Sequence, residues 1–516
     1  MTDMSDKPQP TAANQRLYTA SQVRELDRCA IEDHGIAGLE LMERAGQSVF
    51  EAIRNQYPDR QRWLVVCGGG NNGGDGYVVA RLALEQGISC KLYALKPPDA
   101  LRGDAALAAQ RWIHAGGQAE PESPARLGRI DLVVDALLGT GLDRPPEGDY
   151  AEVIKRINLS DAVTVAVDVP SGLNSDTGRI MGLAVKAEMT VTFIGRKRGL
   201  YTADGPDCSG LLKFDRLGVP DSVYQRNFTS GELIHEFLIS RYLKKRHKNS
   251  HKGHFGWILG IGGDAGMSGA LRLCGEAALR SGGGKVTLVT HPELASTLNS
   301  GCPELMVRDA EAGSIVRALL KQADVVVLGT GLGQSSWSVE MLNACRDHVG
   351  PMVVDADALN LIAKESALER ISEHGSQVIM TPHPAEAGRL LGVDSRVVQN
   401  DRISAAKELA RQGGCVAVLK GCGTVISDPA GRYAICPLGN PGMASGGTGD
   451  VLAGVIGAML AQGLDAWAAA RVGVTAHAAA ADVAAAEIGE RGMIASDITR
   501  FLPSVLNPGQ KTRSDS

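Results

Sequence analysis

Aromatic residues are scarce in this chain: Phe, Trp and Tyr together make up 4% of its 516 residues. That is too few for the repeated base-stacking platforms of single-stranded nucleic-acid binders. A charge excess is missing as well. Fifty-three Lys and Arg stand against 58 Asp and Glu, a net charge of −5, which gives no electrostatic support for binding nucleic acid or an anionic membrane. No run approaches the roughly 18–20 uninterrupted apolar residues of a membrane span. The nearest, Ala466–Ala485, is broken by Arg471, His477 and Asp482 and reads as a buried helix of a soluble domain. The first fifteen residues are polar and lack the apolar stretch of a secretory signal. Ten cysteines are scattered without a CxxC pair, most of them inside apolar runs such as Val65-Val-Cys67 and Cys415-Val-Ala-Val418. Buried free thiols in a reducing compartment are expected, and a cytoplasmic location with them.

Apolar residues are plentiful, at 44% with 22% charged, the balance of a soluble globular protein with a sizeable core. At roughly 150 residues per domain the length suggests two to four domains. Apolar, β-rich runs occur at 63–67, 90–95, 132–134, 163–169 and 190–194, with helical patterns at 21–31, 39–54 and 76–86. A second series starts at 257–259 and continues at 286–289, 325–328, 352–354, 378–380 and 416–419, before a long helical region from Asp450 onward. Continuous apolar strands alternating with helices predict mainly parallel sheets covered on both faces. Between the series, Arg241–Lys252 carries six Lys and Arg in twelve residues. It reads as a solvated linker and strand approach, with phosphate attraction the sharper alternative. The domain boundary is placed near 226–245.

Three strand-end loops stand out in the first half. Cys67-Gly-Gly-Gly-Asn-Asn-Gly-Gly-Asp-Gly-Tyr77 follows a strand; glycine lets backbone approach an anion, and a following helix would aim its N–H groups at it. Such a turn can be merely structural, but Asn71, Asn72 and Asp75 offer groups for a cation or a hydroxyl. The others are Asp135-Ala-Leu-Leu-Gly-Thr-Gly-Leu-Asp-Arg-Pro145 and Asp168-Val-Pro-Ser-Gly-Leu173. Alone, Asp135 could be a cap or turn. Ligands of open α/β sheets bind outside the carboxyl ends of strands, so the three loops are expected to share one cleft, and Asn, Ser and carboxylate oxygens suit a hard cation.

GGGNNGGDG, DALLGTG and VDVPSGL resemble the epimerase domain of the NAD(P)H-hydrate repair enzymes, over roughly residues 15–225. The resemblance implies a Rossmann-like three-layer domain at 1–226. It also implies that Asn71, Asn72, Gly73, Gly74 and Asp75, with Gly139, Thr140, Gly141, Leu142, Asp143, Arg144 and Pro145, contact the hydrated dinucleotide. Asp168 would contact its modified ring, and Asn72, Asp135 and Ser171 would hold a potassium ion. Inverting a carbon that bears a hydroxyl beside nitrogen needs a positioned acid/base, not a redox cofactor. Asp168 is the first candidate. Lys197, in Gly195-Arg-Lys-Arg-Gly199, is a second, although it reads first as a solvated surface lysine.

In the second half, Asn440-Pro-Gly-Met-Ala-Ser-Gly-Gly-Thr-Gly-Asp450 runs into an apolar helix. The N–H groups of Gly446–Gly449 would form an anion-binding nest, where charge on a transferring phosphoryl group is stabilised. Asp450 could be a helix cap or the base that deprotonates an acceptor hydroxyl; beside such a nest the base is preferred. The arrangement resembles the anion hole and aspartate of ribokinase-like kinases, and no P-loop GxxxxGK[ST] occurs. HKGHFG from His251, GGDAGMSGA from Gly262, GTGLG from Gly329, DADAL from Asp355, TPHPAE from Thr381 and KGCGT from Lys420 follow the order of the NAD(P)H-hydrate dehydratases. That resemblance implies a ribokinase-like α/β domain at 240–512. It places Ala270, Gly331, His383 and Asp450 on the hydrated dinucleotide, and Lys420, Gly421, Cys422, Gly423, Thr424 and Gly449 on ADP, with Mg2+ beside the phosphates. Thr330 and Cys422 replace the usual proline and alanine.

The expected whole is α/β throughout and bifunctional. One half interconverts R- and S-hydrated NADH or NADPH; the other dehydrates the S epimer at the expense of ADP, giving AMP and phosphate. The expected partners are these small molecules, in a homo-oligomer, with no nucleic acid or membrane. Two rivals stand beside this: a kinase of a small hydroxylated metabolite, and an N-terminal half that only binds.

Overall fold

The computed structural model describes residues 15–120, 130–226, 229–375 and 377–507. The chain divides into two compact units, one of Pro10–Gly231 and one whose described part begins at Glu232.

In the first unit the strands are β1 (Arg16–Tyr18), β2 (Arg62–Cys67), β3 (Ser89–Ala94), β4 (Ala119–Glu120), β5 (Leu132–Ala136), β6 (Val163–Val167), β7 (Met189–Phe193), β8 (Arg196–Lys197) and β9 (Leu211–Asp215). Seven form a sheet in the order β4-β3-β2-β5-β6-β7-β9, every pairing parallel; β1 pairs in parallel with β8. Successive side chains of a strand point to opposite faces, so the apolar run of β2 feeds two cores. Trp63 and Val65 join the core that includes helices Gly38–Gln56, Asn71–Glu85 and Gly103–His114. Leu64 and Val66 join Val153, Ile154 and Ile157 of helix Asp149–Asn158. Because β2 has β3 on one side and β5 on the other, the loops after β2 and β5 open at the switch point of the sheet.

The helix after β2 starts at Asn71, not at residue 76 as the glycine content suggested. Its glycines serve close packing. A Cβ on Gly73 would lie 2.1 Å from the Gly68 carbonyl oxygen, and one on Gly76 would lie 2.6 Å from the Ala136 side chain. A first turn rich in glycine therefore stays helical, because contact with the sheet outweighs a propensity cost of about 1 kcal/mol per glycine.

The second unit has β10 (Gly231–Leu233), β11 (Trp257–Ile261), β12 (Lys285–Thr290), β13 (Met306–Asp309), β14 (Val325–Leu328), β15 (Met352–Val354), β16 (Val378–Met380), β17 (Val416–Leu419), β18 (Thr424–Ser427) and β19 (Tyr433–Cys436). Their order is β13-β12-β11-β14-β15-β16-β17-β18-β19-β10. Pairings are parallel from β13 to β17 and antiparallel from β17 through β19. The antiparallel β18 and β19 are the minority of a mainly parallel sheet, and β18 begins inside the stretch read as a nucleotide loop. Helix Thr448–Ala461 buries every residue from Val451 to Leu460, and a helix apolar all round belongs in a core. It lies against helix Ser268–Arg280 so closely that a Cβ on Gly454 would sit 2.1 Å from the Cys274 carbonyl oxygen. Helix Ala466–Ile488 is largely buried beside it. Among the described residues no helix is long and apolar enough to cross a membrane. All ten cysteines are free, eight of them buried, and the Lys and Arg side chains of Arg241–Lys252 are exposed.

Candidate active sites

The carboxyl ends of β2, β5, β6 and β7 open onto a cavity of about 610 Å³. From the three loops it is lined by Asn71, Asn72, Asp75, Gly139, Thr140, Gly141, Leu142 and Asp168, and by Asp27, Lys96, Asp104 and Lys197 from other segments. Gly73 and Gly74 are buried in helix packing, and Asp143, Arg144 and Pro145 do not line the cavity.

Asp168 has φ of 66°, a left-handed backbone that a non-glycine residue adopts at a cost. Its Oδ1 accepts from the Lys197 ammonium, the Thr192 hydroxyl at 3.2 Å and the Phe193 amide at 3.3 Å. Lys197 is only 1% exposed and also donates to the Phe193 carbonyl at 2.8 Å. Its reading as a solvated surface lysine is thus overturned. β8 turns inward just after β7, and the ammonium finds a carboxylate and a carbonyl there, which a buried charge requires. Asp27 and Asp75 share the neighbourhood: burial raises both carboxyls, Asp27 to about 6 and Asp75 well above its usual range. Asp168 pushes both further up while Lys197 opposes.

Beneath the cavity, Asp135 is fully buried. It accepts from the Ser171 hydroxyl at 2.6 Å, the Ser171 amide at 2.8 Å and the Leu137 amide at 3.2 Å. Burial raises it to about 6 against those hydrogen bonds. The side-chain nitrogen of Asn72 is buried without a hydrogen-bond partner, and a Cβ on Gly139 would lie 3.3 Å from the Asn72 amide. The structure thus ties Asp135 to Ser171 and puts Asn72 beside the Gly139 loop.

In the second unit, helix Thr448–Ala461 is capped by Gly447, at φ of 93°, so Asp450 is its third residue and not its cap. Burial and then Asp355 raise Asp450 to about 7; Lys420 opposes, and Asp357 and Glu386 add to the rise. Lys420 bonds Asp355 Oδ1 at 2.7 Å and lies 4.0 Å from Glu386. Burial pulls Lys420 down, but the two carboxylates outweigh it and hold it above its usual value. Gly449 adjoins that ammonium, since a Cβ there would be 3.2 Å from Nζ. Gly331, at φ of 60°, touches Ala270: a Cβ on it would lie 3.0 Å from the Ala270 methyl.

His383 caps helix Pro384–Leu391. Its Nδ1 accepts from the Ala385 and Glu386 amides at 3.1 and 3.3 Å, and the His383 amide donates to the Glu386 carboxylate at 2.8 Å. Burial, with Lys420 and Arg389, keeps the imidazole below its usual value, consistent with an acceptor nitrogen. Asp355 and Glu386 stand inside the DADAL and TPHPAE motifs, where nothing local singles either out as a site residue. Arg402 lies outside every motif. Only 2% exposed, Arg402 donates to the Leu419 and Lys420 carbonyls at 3.2 and 3.1 Å and so holds the start of the Lys420–Thr424 segment. No local pattern marks it; an arginine in a helix reads as surface until the fold brings the carbonyls to it.

The family described as NAD(P)H-hydrate dehydratase matches residues 258–504, and that described as YjeF-related protein N-terminus matches residues 38–199. A bifunctional NAD(P)H-hydrate repair enzyme of Coxiella burnetii is 45% identical over 492 residues, covering 95% of this chain and 99% of its own. One from Escherichia coli is 44% identical over 508 residues, covering 98% and 97%. A solved ADP/ATP-dependent NAD(P)H-hydrate dehydratase from Bacillus subtilis, co-crystallized with ATP/Mg2+, is 32% identical over 53% of this chain and 96% of its own, with a TM-score of 0.48. The chain belongs to the family of bifunctional NAD(P)H-hydrate repair enzymes.

Proposed function

We infer that this protein repairs hydrated NAD(P)H in two steps: it interconverts the R and S epimers, and it dehydrates the S epimer to NAD(P)H at the expense of ADP, giving AMP and phosphate. We assign epimerisation to residues 1–226 and dehydration to residues 240–512.

For dehydration, the observation that carries the reading is Asp450, a carboxyl poised near 7 in the first turn of a helix opened by Gly446-Gly-Thr-Gly449. It takes the proton of the ring hydroxyl as that oxygen attacks the terminal phosphate of ADP, whose bond to the bridging oxygen breaks with its electron pair leaving on AMP. Backbone N–H groups at the helix start stabilise the charge on the phosphoryl oxygens. Phosphate then leaves in place of hydroxide, pushed by the lone pair of the ring nitrogen. Lys420, Gly421, Cys422, Gly423, Thr424 and Gly449 hold the nucleotide, and Ala270, Gly331 and His383 hold the dinucleotide. Among the described residues no group of three or more His, Cys, Asp and Glu side chains is set to hold a metal ion. A Mg2+ beside the phosphates would therefore be held largely by the nucleotide's own oxygens, with Asp357 a hard donor of the kind it takes, and when bound it would offset the phosphate charge.

For epimerisation, Asp168 exchanges a proton with the substrate while Lys197 keeps its carboxylate in place. Asp135 is a buried carboxylate with neutral hydrogen-bond donors and no cation among its described partners. Asp135, Ser171 Oγ and the Asn72 amide oxygen are hard donors that would hold a potassium ion, which when bound would compensate that buried charge.

The test uses the full chain with a mixture of R- and S-hydrated NADH, following recovery of reduced-nicotinamide absorbance with ADP, ATP or neither. Conversion of both epimers, only with nucleotide, is expected. A plateau at the S fraction would remove the epimerase assignment. A stable phosphorylated product would favour a kinase.

A further inference from the structure

Inverting a carbon that carries a hydroxyl beside a ring nitrogen has a proton requirement that Asp168 alone does not meet. If inversion passes through a planar iminium, one face loses water and the opposite face gains it. The departing hydroxyl must receive a proton and the arriving water must give one up. A single carboxyl on one side of the ring does not reach both faces, so a second acid/base group is needed.

Among the described residues, the cavity wall holds titratable side chains at Arg24, Asp27, Asp75, Lys96, Asp104, Tyr150, Asp168 and Lys197. Lys197 is committed to Asp168 and the Phe193 carbonyl. Asp27 and Asp75 share the electrostatic neighbourhood of Asp168 and Lys197, and Asp104 lies against Gly38, where a Cβ would meet its Oδ2 at 2.3 Å. Three carboxyls therefore surround one ammonium, and Coulomb repulsion favours keeping a proton among them. In Asp168, Oδ1 takes all three of its donors, and Oδ2 accepts none among the described residues. Asp75 lies in the Asn71–Asp75 turn assigned above to substrate contact. Asp27, on helix Ala20–Arg28, is half-buried in the wall and accepts no hydrogen bond from any described residue. No role assigned so far uses it.

We propose that Asp27 is the second catalytic acid/base of epimerisation, working with Asp168 on opposite faces of the hydrated nicotinamide ring. The proposal rests on the epimerase reading of this unit. The Asp27 carboxyl gives its proton to the ring hydroxyl, and the carbon–oxygen bond breaks with its electron pair leaving on water. The nitrogen lone pair forms the carbon–nitrogen double bond. A water then adds to the other face: its lone pair makes the new carbon–oxygen bond, the double-bond pair returns to nitrogen, and Asp168 accepts the proton. One water leaves and one enters, nothing is oxidised, and the two aspartates exchange protonation states. The reverse sequence converts the other epimer. Burial, which lifts Asp27 to about 6, leaves it a usable acid near neutrality.

The experiment uses the full chain without nucleotide, so that dehydration is idle, and follows the R-to-S ratio by chromatography above the uncatalysed rate. Asp27→Asn is expected to lower kcat for epimerisation about 100-fold with little change in KM. Asp75→Asn is expected to act mainly on KM. In water enriched in heavy oxygen, the wild type is expected to place one solvent oxygen on the ring carbon per inversion. Near-wild-type kcat in Asp27→Asn, or a kcat loss confined to Asp75→Asn, overturns the proposal. So does an inverted product that keeps its original oxygen, a result that does not depend on any variant folding. A wild-type chain that never alters the ratio instead overturns the epimerase reading, and this proposal with it.

Discussion

In the first unit the aspartate proposed to act on substrate, Asp168, is itself the partner of the buried lysine. In the second, Lys420 is tied to Asp355, and the proposed base, Asp450, stands outside that pair. Both units put a lysine–aspartate pair at the carboxyl ends of parallel strands, yet the acting carboxyl sits in opposite environments. Asp168 has an ammonium and two further donors on one oxygen. Asp450 has burial and three nearby carboxylates, which raise it to about 7. The difference follows the chemistry. A hydroxyl attacking phosphorus needs a base of substantial basicity, and like charges supply it. Inverting a carbinolamine carbon needs one group to give a proton and another to take one, and the cavity of the first unit is lined by carboxyls at Asp27 and Asp168.

Separating the two sites by mutation gives the largest effect. Asp450→Asn should lower ADP-driven dehydration by about 10³-fold while leaving the R-to-S ratio equilibrating as before; loss of both activities would mean the sites are not independent. Next, Lys197→Met should remove the ammonium that holds Asp168 Oδ1 in place. Epimerisation kcat should fall about 100-fold, and the fold should lose about 3 kcal/mol, because a largely buried carboxylate loses its ion-pair partner. An unchanged kcat would show that the lysine is only structural.

A third prediction concerns pH. Asp450 and Glu386 are each raised to about 7 from 3.8 and 4.5. Their folded forms hold protons that the unfolded chain would release. Their contribution to stability is therefore complete below the unfolded values and is lost as pH rises through about 7. Dehydration should climb over the same window as Asp450 ionises, so activity and thermal stability should move in opposite directions. Asp450→Asn should unfold at a higher temperature than wild type on the alkaline side; equal melting there would contradict the cost assigned to burying this carboxylate. The smallest effect is expected from His383→Ala, about 1 kcal/mol from the lost helix cap, measured by denaturant unfolding. A rise in KM for the hydrated dinucleotide beyond that would give His383 a contact role besides capping.

Much of this was legible in the chain. The β2 run Trp63–Cys67 and the β17 run Val416–Leu419 could be read as buried parallel strands because both faces of such strands are apolar. GGTGD could be read as the start of a buried helix because a run of small residues leads straight into an apolar stretch. Lys197 and Arg402 could not be placed. Each is buried by groups distant in sequence, Asp168 for one and the Leu419 and Lys420 carbonyls for the other. The helix start at Asn71 was misplaced for a related reason: local propensity argued against glycine, and packing against Gly68 and Ala136 overrode it.

What the amino-acid order determined alone was the set of strands that must be covered on both faces, the places where backbone could approach an anion, and the carboxylates near those places. Those follow from apolar periodicity and from the conformational range of glycine, which are local properties. Which carboxylate is paired and which is left unpaired was decided only by the tertiary structure. Ionisation depends on burial and on charges within a few ångströms, and those neighbours come together only when the sheet order sets strand ends side by side.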